Sequence, residues 1–189
     1  IYKHVVTYFT QTGFNFYIDY DNTNTRIIFL DTGDTRELDG TTGIFWRDYE
    51  VLADALMDAG EKNIIIIPHA VGIDDIGKRI CRISNSYNSR TIHDTSYLNY
   101  DFTNARGHVY IVIGGHGHSD NVVTPTEGGI SWVMVDTDSK LTHNENGATV
   151  GTTDEQAFDV VTVDYTTGIS YFVRIGRGSD RTVGGNSNE

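Results

Sequence analysis

The sequence predicts an α/β fold, in which mixed β-sheets and flanking helices form one layered domain. Apolar residues repeat with a helical period from Trp46 to Ala59, and Gly60 is well suited to end that helix. Four consecutive isoleucines, residues 64–67, follow closely and have the composition of a buried core strand. A second buried strand is expected from His108 to Ile113. Strands that alternate with a helix are typical of an α/β layer, so we expect these two strands to be neighbours in the core.

A β-hairpin is predicted before the first helix. Apolar and polar residues alternate from Phe14 to Tyr20, which indicates a half-buried strand. The segment from Arg26 to Leu30 is a second strand, and the polar residues 21–24 between them have the composition of a turn. Residues 1–10 carry both a helical spacing and a strand-like run, so their structure stays open.

A second helix is expected after the isoleucine strand, beginning near Asp74 or Asp75. Its apolar face is formed by Ile76, Ile80, Ile83 and Tyr87. Residues 85–95 are polar and predict a loop, and one helical turn is expected at residues 101–105. Further on, three runs have β-type composition: residues 130–135, 157–163 and 169–175. The sequence therefore predicts one domain over residues 1–183, followed by a flexible tail or linker at 184–189.

Composition excludes several classes of protein. The chain has 189 residues, a net charge of −12 and a pI near 4.8, so its surface repels phosphate backbones and a general nucleic-acid binder is not expected. No apolar run approaches the roughly 20 residues of a membrane span, so no membrane partner is predicted. Cys81 is the single cysteine, which rules out an internal disulfide; we interpret it as a small buried helical residue.

Three histidines form the best candidate site. His116 and His118 follow the second buried strand in the motif Gly-His-Gly-His, and His69 follows the isoleucine strand. Ligand sites in open α/β sheets form outside the carboxyl ends of the strands, and neutral imidazole is a common ligand for transition metals. A single histidine at a strand end is more often structural, and we interpret His93 and His108 in that way. Histidines between glycines have no comparable packing role.

Other polar residues are weaker candidates. Asp31 and Asp34 lie in the loop after the hairpin, where acidic residues are more often solvated or cap a turn than bind metal. Arginines 174, 177 and 181 have the guanidinium geometry that suits phosphate, although exposed arginines are usually just solvated.

The motifs resemble those of the calcineurin-like metallophosphoesterases. Gly115-His116-Gly117-His118 is similar to the last signature of that family, and Pro68-His69 after an isoleucine strand is similar to its preceding single-histidine motif. The resemblance runs in order from about Phe14 to Arg181 and implies a layered sandwich of mixed sheets flanked by helices. The family's earlier Asp-x-His, Gly-Asp and Gly-Asn-His motifs are absent in their proper context. The chain therefore resembles a partial domain, the second half, and its start at Ile1 rather than methionine agrees with this.

The resemblance implies hydrolysis of a phosphomonoester or phosphodiester by two divalent transition metal ions, of manganese, iron, zinc or nickel. His69 and His116 would bind one ion and His118 the other. Asp120 would be an outer acceptor that orients a ligand histidine, with a solvated turn aspartate as the alternative. The family's acid histidine and bridging carboxylate belong to the missing motifs, so the catalytic residue stays unknown. We expect at most one tightly bound ion in this chain alone, and activity when its partner, the upstream half, is joined.

A non-enzymatic function stays open. The chain could be a structural or carbohydrate-binding module that keeps the fold without a working site. Similar domains occur in bacteriophage tail and surface proteins, where a teichoic-acid-type phosphodiester would be a sensible substrate, and this analogy suggests a virion-associated or extracellular location. The pattern does not decide localisation or oligomeric state. Stoichiometric transition metal at the three histidines would favour the enzyme.

Overall fold

Three β-sheets and two α-helices make up the part of the chain that the structure describes, in a computed structural model. The described residues are 5–10, 13–32, 46–71, 76–96, 98–115, 119–123, 129–130, 132–134 and 151–184. The helices are α1 (Trp46–Met57) and α2 (Ile76–Asn88), and short 3₁₀ turns occur at Asp21–Thr23 and Thr153–Glu155. The strands are β1 (Val5–Thr10), β2 (Gly13–Tyr20), β3 (Thr25–Leu30), β4 (Asn63–Pro68), β5 (Ile92–Asp94), β6 (Asn99–Asp101), β7 (His108–Gly114), β8 (Asn121–Val123), β9 (Trp132–Met134), β10 (Ala157–Asp164), β11 (Ile169–Gly176) and β12 (Arg181–Gly184).

The main sheet has seven strands in the order β1-β2-β3-β4-β7-β9-β8. The pairs β3–β4, β4–β7 and β7–β9 are parallel, while the pairs β1–β2, β2–β3 and β8–β9 are antiparallel. The predicted hairpin is confirmed, with Phe16 opposite Phe29 and their rings stacked at a centroid distance of 4.6 Å. The predicted neighbours β4 and β7 are also confirmed as a parallel pair in which Ile65 lies opposite Ile111.

Both helices pack on one face of the main sheet. That face presents Ile64 and Ile66 of β4, which are fully buried against Leu52 and Leu56 of α1 and the apolar side of α2. The second helix buries the face that the sequence predicts, and Cys81 is fully buried with it. Burial raises the pKa of the Cys81 thiol to about 12, in agreement with its interpretation as an apolar residue.

A three-stranded antiparallel sheet, in the order β10-β11-β12, covers the other face. Phe172 of β11 and Val183 of β12 form a second core cluster with Ile111 and Val133. Side chains alternate along β4, so Ile65 reaches this cluster while Ile64 and Ile66 face the helices. The described residues are therefore a mixed α/β arrangement with helices, a central sheet and a second sheet in layers.

The segment after α2 differs from its prediction. Residues 85–95 are not a loop, because α2 continues to Asn88 and β5 begins at Ile92. The turn expected at 101–105 is confirmed only in part: Asp101 belongs to β6, which pairs with β5 in a small hairpin, and a single hydrogen-bonded turn follows, in which the N–H of Ala105 donates to the carbonyl of Phe102 at 2.9 Å. The reason lies in tertiary packing: Phe102 is fully buried and its ring meets Tyr87 edge-on at 5.4 Å, which holds the hairpin on α2.

The chain ends also add to the sequence prediction. The sequence leaves helix and strand open for residues 1–10; Val5–Thr10 forms strand β1, which pairs with β2. Gly184 still pairs with Ile169, while residues 185–189 of the predicted tail lie outside the described residues. No helix in the described ranges is long and apolar enough to cross a membrane.

Candidate functional site

The carboxyl ends of β3, β4 and β7 meet at one edge of the main sheet. The N–H of His69 donates to the carbonyl of Leu30 at 3.1 Å, and the N–H of Gly115 donates to the carbonyl of His69 at 2.8 Å. Ala70 and Gly115 form an isolated parallel bridge just beyond the two strands. His69 and the first residue of the Gly-His-Gly-His motif are thus neighbours at this edge.

Gly114 directly precedes the motif, and glycine is required there because two chain segments approach closely. A Cβ atom on Gly114 would lie 2.6 Å from Cγ1 of Val71 and 2.9 Å from the carbonyl oxygen of Pro68. The chain does not turn sharply at Gly114 or Gly115. Neither has a positive φ, Gly114 is still part of β7, and Gly115 still bridges to Ala70.

Thr32, which the sequence reasoning missed, fixes the backbone beside His69. Its hydroxyl accepts a hydrogen bond from the N–H of Ala70 at 2.7 Å and donates to the carbonyl of Ala70 at 3.1 Å. Thr32 is buried, so both bonds are shielded from water. The only local signal is a hydroxyl residue directly after a strand end. The His69 backbone is therefore held on both sides, while its side chain is exposed.

Two of the three predicted ligands, His116 and His118, lie outside the described residues. Gly115, the first residue of the motif, is described and lies at this edge. Within the described ranges, no group of three His, Cys, Asp or Glu side chains is placed to share a metal ion. Convergence of the three imidazoles stays a prediction.

Asp31 lies at the same edge, at the end of β3. Its N–H donates to Oδ1 of Asn15 at 2.8 Å, and Nδ2 of Asn15 donates to Oδ1 of Asp48 at 2.7 Å. Asn15 is fully buried and Asp48 is buried, so this chain of bonds ties the strand end to the first turn of α1. The Asp31 side chain is half-buried, and Asp34 lies outside the described residues.

Asp120, two residues after the motif, is held by two arginines. Nη2 of Arg174 lies 2.6 Å from Oδ1 of Asp120, and Nη1 of Arg181 lies 2.8 Å from Oδ2. Both arginines also pair with Asp159, whose side chain is only 3% exposed. Two of the three candidate ligand histidines lie outside the described ranges, and the bond from Asp120 to a ligand histidine stays a prediction. Its described ion pairs link the residues after the motif to the three-stranded sheet.

Arg174 is a buried residue that connects chain segments through its guanidinium, and it is not an exposed cation. Its side chain is 2% exposed, Nε donates to Asp159 at 2.8 Å, and Nη1 donates to the carbonyl of Arg177 at 2.7 Å. Burial disfavours the charged guanidinium, but the hydrogen bonds and charges of Asp159 and Asp120 outweigh this and raise the pKa of Arg174. Each nitrogen of its guanidinium donates to a protein acceptor, which disfavours the phosphate-binding alternative for this residue.

His93 and His108 lie away from the His69 edge. His108 begins β7 at the opposite edge of the sheet, opposite Asn63, and its ring meets Tyr110 edge-on at 4.7 Å. Nδ1 of His93 lies 3.1 Å from the hydroxyl of Ser86. Burial lowers the pKa of both histidines, so both are neutral at pH 7.

Comparisons with protein-family models, with curated proteins and with solved structures give no significant match for this chain. The resemblance to the metallophosphoesterases therefore rests on the motifs and on the position of His69 and Gly115.

Proposed function

We propose that this chain supplies histidine ligands for metal-dependent hydrolysis of a phosphomonoester or phosphodiester, as the later part of a metallophosphoesterase-like domain. The observation that carries the proposal is the 2.8 Å hydrogen bond from Gly115 to His69. It brings the start of the Gly-His-Gly-His motif beside the other candidate histidine. In parallel sheets this carboxyl edge is where ligand sites form.

The donor set suits divalent manganese, iron, zinc or nickel, with His69 and His116 on one ion and His118 on a second. Bound metal would lower the pKa of a water molecule and offset the charge that develops on the phosphoryl group. The chain's own contribution is to hold the His69 ligand in place. His69 is held through its N–H, its carbonyl and the neighbouring Thr32–Ala70 bonds, which limits how far its ring can move from the ligand geometry.

The partner in this proposal is the upstream half of the same domain, and the outer face of β10 and β11 is where we place it. Phe158 lies opposite Ile175 and Val160 opposite Val173, and together with Tyr171 these side chains are 42–53% exposed. A continuous apolar face of this kind marks an interaction surface more often than free solvent contact. Covering it would extend the described layers toward the layered sandwich of that family.

Metal content of histidine variants tests the proposal. The purified chain is equilibrated with Zn²⁺ or Mn²⁺, and bound metal is measured by mass spectrometry after dialysis. We expect His69→Ala and His116→Ala to lose the tightly bound ion. The matched control is His108→Gln, since His108 is the first residue of β7 and lies at the opposite edge of the sheet from His69. Equal retention in all variants, or no metal in the unsubstituted chain, would overturn the metal site and favour the structural or carbohydrate-binding module.

A further inference from the structure

A separate cavity lies on the helix side of the main sheet, between α1, α2 and the β5–β6 hairpin. Its volume is about 200 Å³. The apolar wall consists of Tyr49, Ile83 and Leu98, which are 5%, 2% and 7% exposed. An enclosed apolar cavity of about 150 Å³ accommodates benzene, so this space suits one ring or a short branched chain. None of the proposed metal ligands contributes to it.

Two arginines of α2 give the mouth of the cavity a positive charge. Arg79 and Arg82 are three positions apart, which places them on one side of the helix, and both are exposed. Arg79 has no hydrogen-bond or ion-pair partner within the described part of the chain. The chain has a net charge of −12 and Asp94 lies beside His93, so Arg79 and Arg82 are the positive groups among the residues that line the cavity. Guanidinium favours planar oxyanions, carboxylates above all.

His93 adds a hydrogen-bond acceptor to the cavity lining. The hydroxyl oxygen of Ser86 lies 3.1 Å from the carbonyl oxygen of Arg82 and 3.1 Å from Nδ1 of His93. Because the carbonyl can only accept, we assign the hydroxyl proton of Ser86 to it and the ring proton of His93 to Nδ1, which leaves Nε2 as an acceptor. Nε2 has no partner among the described residues. A ligand with a hydroxyl group could use it.

We propose that this cavity binds a small aromatic carboxylate, with the ring against Tyr49, Ile83 and Leu98, the carboxylate on Arg79 and Arg82, and a ring hydroxyl within reach of His93. The apolar wall selects a ring over a sugar, and the arginine pair selects an anion over a neutral or cationic analogue. The cavity shares no residue with the proposed metal site, so this proposal does not depend on the proposed hydrolysis.

Calorimetric titration of the full chain with 4-hydroxybenzoate, benzoate and benzyl alcohol tests the site. We expect 4-hydroxybenzoate to bind most tightly and benzyl alcohol at least ten-fold more weakly. Arg79→Gln combined with Arg82→Gln should lower the affinity for 4-hydroxybenzoate at least ten-fold. Lys78 is an exposed cation on the same helix, and Lys78→Gln should change that affinity less than two-fold. Thermal unfolding of each variant shows whether the fold is retained, and Arg79→Gln alone serves as the milder variant.

Three results would overturn the proposal. They are the absence of heat and of chemical-shift change at His93 with 4-hydroxybenzoate, equal affinity for benzyl alcohol, and unchanged affinity in a folded arginine variant. A His93→Leu variant removes the acceptor and keeps an apolar side chain in the cavity lining. It should remove the advantage of 4-hydroxybenzoate over benzoate and leave benzoate affinity within about two-fold. Metal content of the chain is unaffected in either case, so this site and the proposed metal site fail independently.

Discussion

Arg174 donates a 2.6 Å hydrogen bond to Asp120 and links the residues after the Gly-His-Gly-His motif to the three-stranded sheet. The two residues are 54 positions apart in the chain. Asp120 lies at the edge of the main sheet, just before β8, and Arg174 belongs to β11. The ion-pair cluster of Arg174, Arg181, Asp120 and Asp159 therefore joins the two sheets beside the candidate site.

Replacing Arg174 by methionine should strongly destabilise the protein. The substitution keeps much of the side-chain volume but leaves Asp159, 3% exposed, with Arg181 as its remaining partner. Breaking a buried pair in this way costs about 3–5 kcal/mol. Urea unfolding measures the loss. In the control Arg106→Met, the pair with Glu61 is 68% and 66% exposed, so the loss should stay below about 1 kcal/mol. Equal losses would show that the cluster is not a structural brace.

Gly114→Ala and Gly115→Ala form a matched pair at the site. A Cβ on Gly114 would meet Val71 at 2.6 Å and force β4 and β7 apart, whereas the nearest atom to a Cβ on Gly115 is the His69 carbonyl oxygen at 3.8 Å. Overpacking of this kind costs about 1–3 kcal/mol. We expect Gly114→Ala to lose stability and tight metal binding together, and Gly115→Ala to be tolerated. Urea unfolding and metal content provide the two measurements. Similar behaviour of both variants would contradict the close approach as the reason for glycine.

Sequence reasoning located β4, β7 and both helices because each has its pattern within one stretch of chain. The same applies to His69, whose position follows from the strand before it. It missed Thr32, which bonds to Ala70 across 38 positions, since no local period marks such a pair. It also missed the close approach that requires glycine at position 114, because the sequence does not show that Val71 and Pro68 lie alongside. The small hairpin after α2 was missed for a related reason, as burial of Phe102 against Tyr87 overrides the local polarity.

Stability should depend on Asp19 in a pH-dependent way. Burial disfavours its charged form, but the hydrogen bonds and charge of Arg26, with Lys62, outweigh this and hold the pKa of Asp19 below its usual value. Arg26 is itself buried, with 2.8 Å bonds to both carboxylate oxygens. A lowered folded-state pKa gives stability that is present above the unfolded pKa of about 3.9. That stability is lost as pH falls through the lower folded-state pKa.

The variant Asp19→Asn should therefore be less stable than the unsubstituted chain by about 3 kcal/mol at pH 7, and the difference should shrink as pH falls below 4. Urea unfolding at pH 7 and at steps down to pH 2 measures it. Asp21→Asn, in the exposed turn after β2, is the control and should change stability by less than about 0.5 kcal/mol at any pH. A difference for Asp19→Asn that does not change with pH would contradict the ion pair as its origin.

The isolated chain should bind at most one metal ion tightly and turn over a chromogenic phosphodiester poorly. Three neutral imidazoles can hold one cation, as at many catalytic zinc sites, but they supply no anion to offset repulsion between two cations a few ångströms apart. Joined to the upstream half, the chain should bind a second ion and gain activity. Val160→Lys combined with Val173→Lys places charge on the apolar face of β10 and β11. This variant should prevent the gain of the second ion and of activity, while the first ion stays bound.

Metal analysis and turnover with and without the upstream half measure both effects. Ser89→Lys combined with Thr91→Lys, at exposed positions just after α2 on the helix side of the main sheet, controls for added charge and should leave the gain unchanged. Two ions and full turnover from the isolated chain would show that an aspartate of this chain replaces the bridging carboxylate. Asp31 would then be the first candidate, because it directly follows β3 at the edge where the N–H of His69 donates to the carbonyl of Leu30. Asp31→Asn would show whether Asp31 replaces the bridging carboxylate. The substitution removes the negative charge and should abolish binding of the second ion while the first is retained.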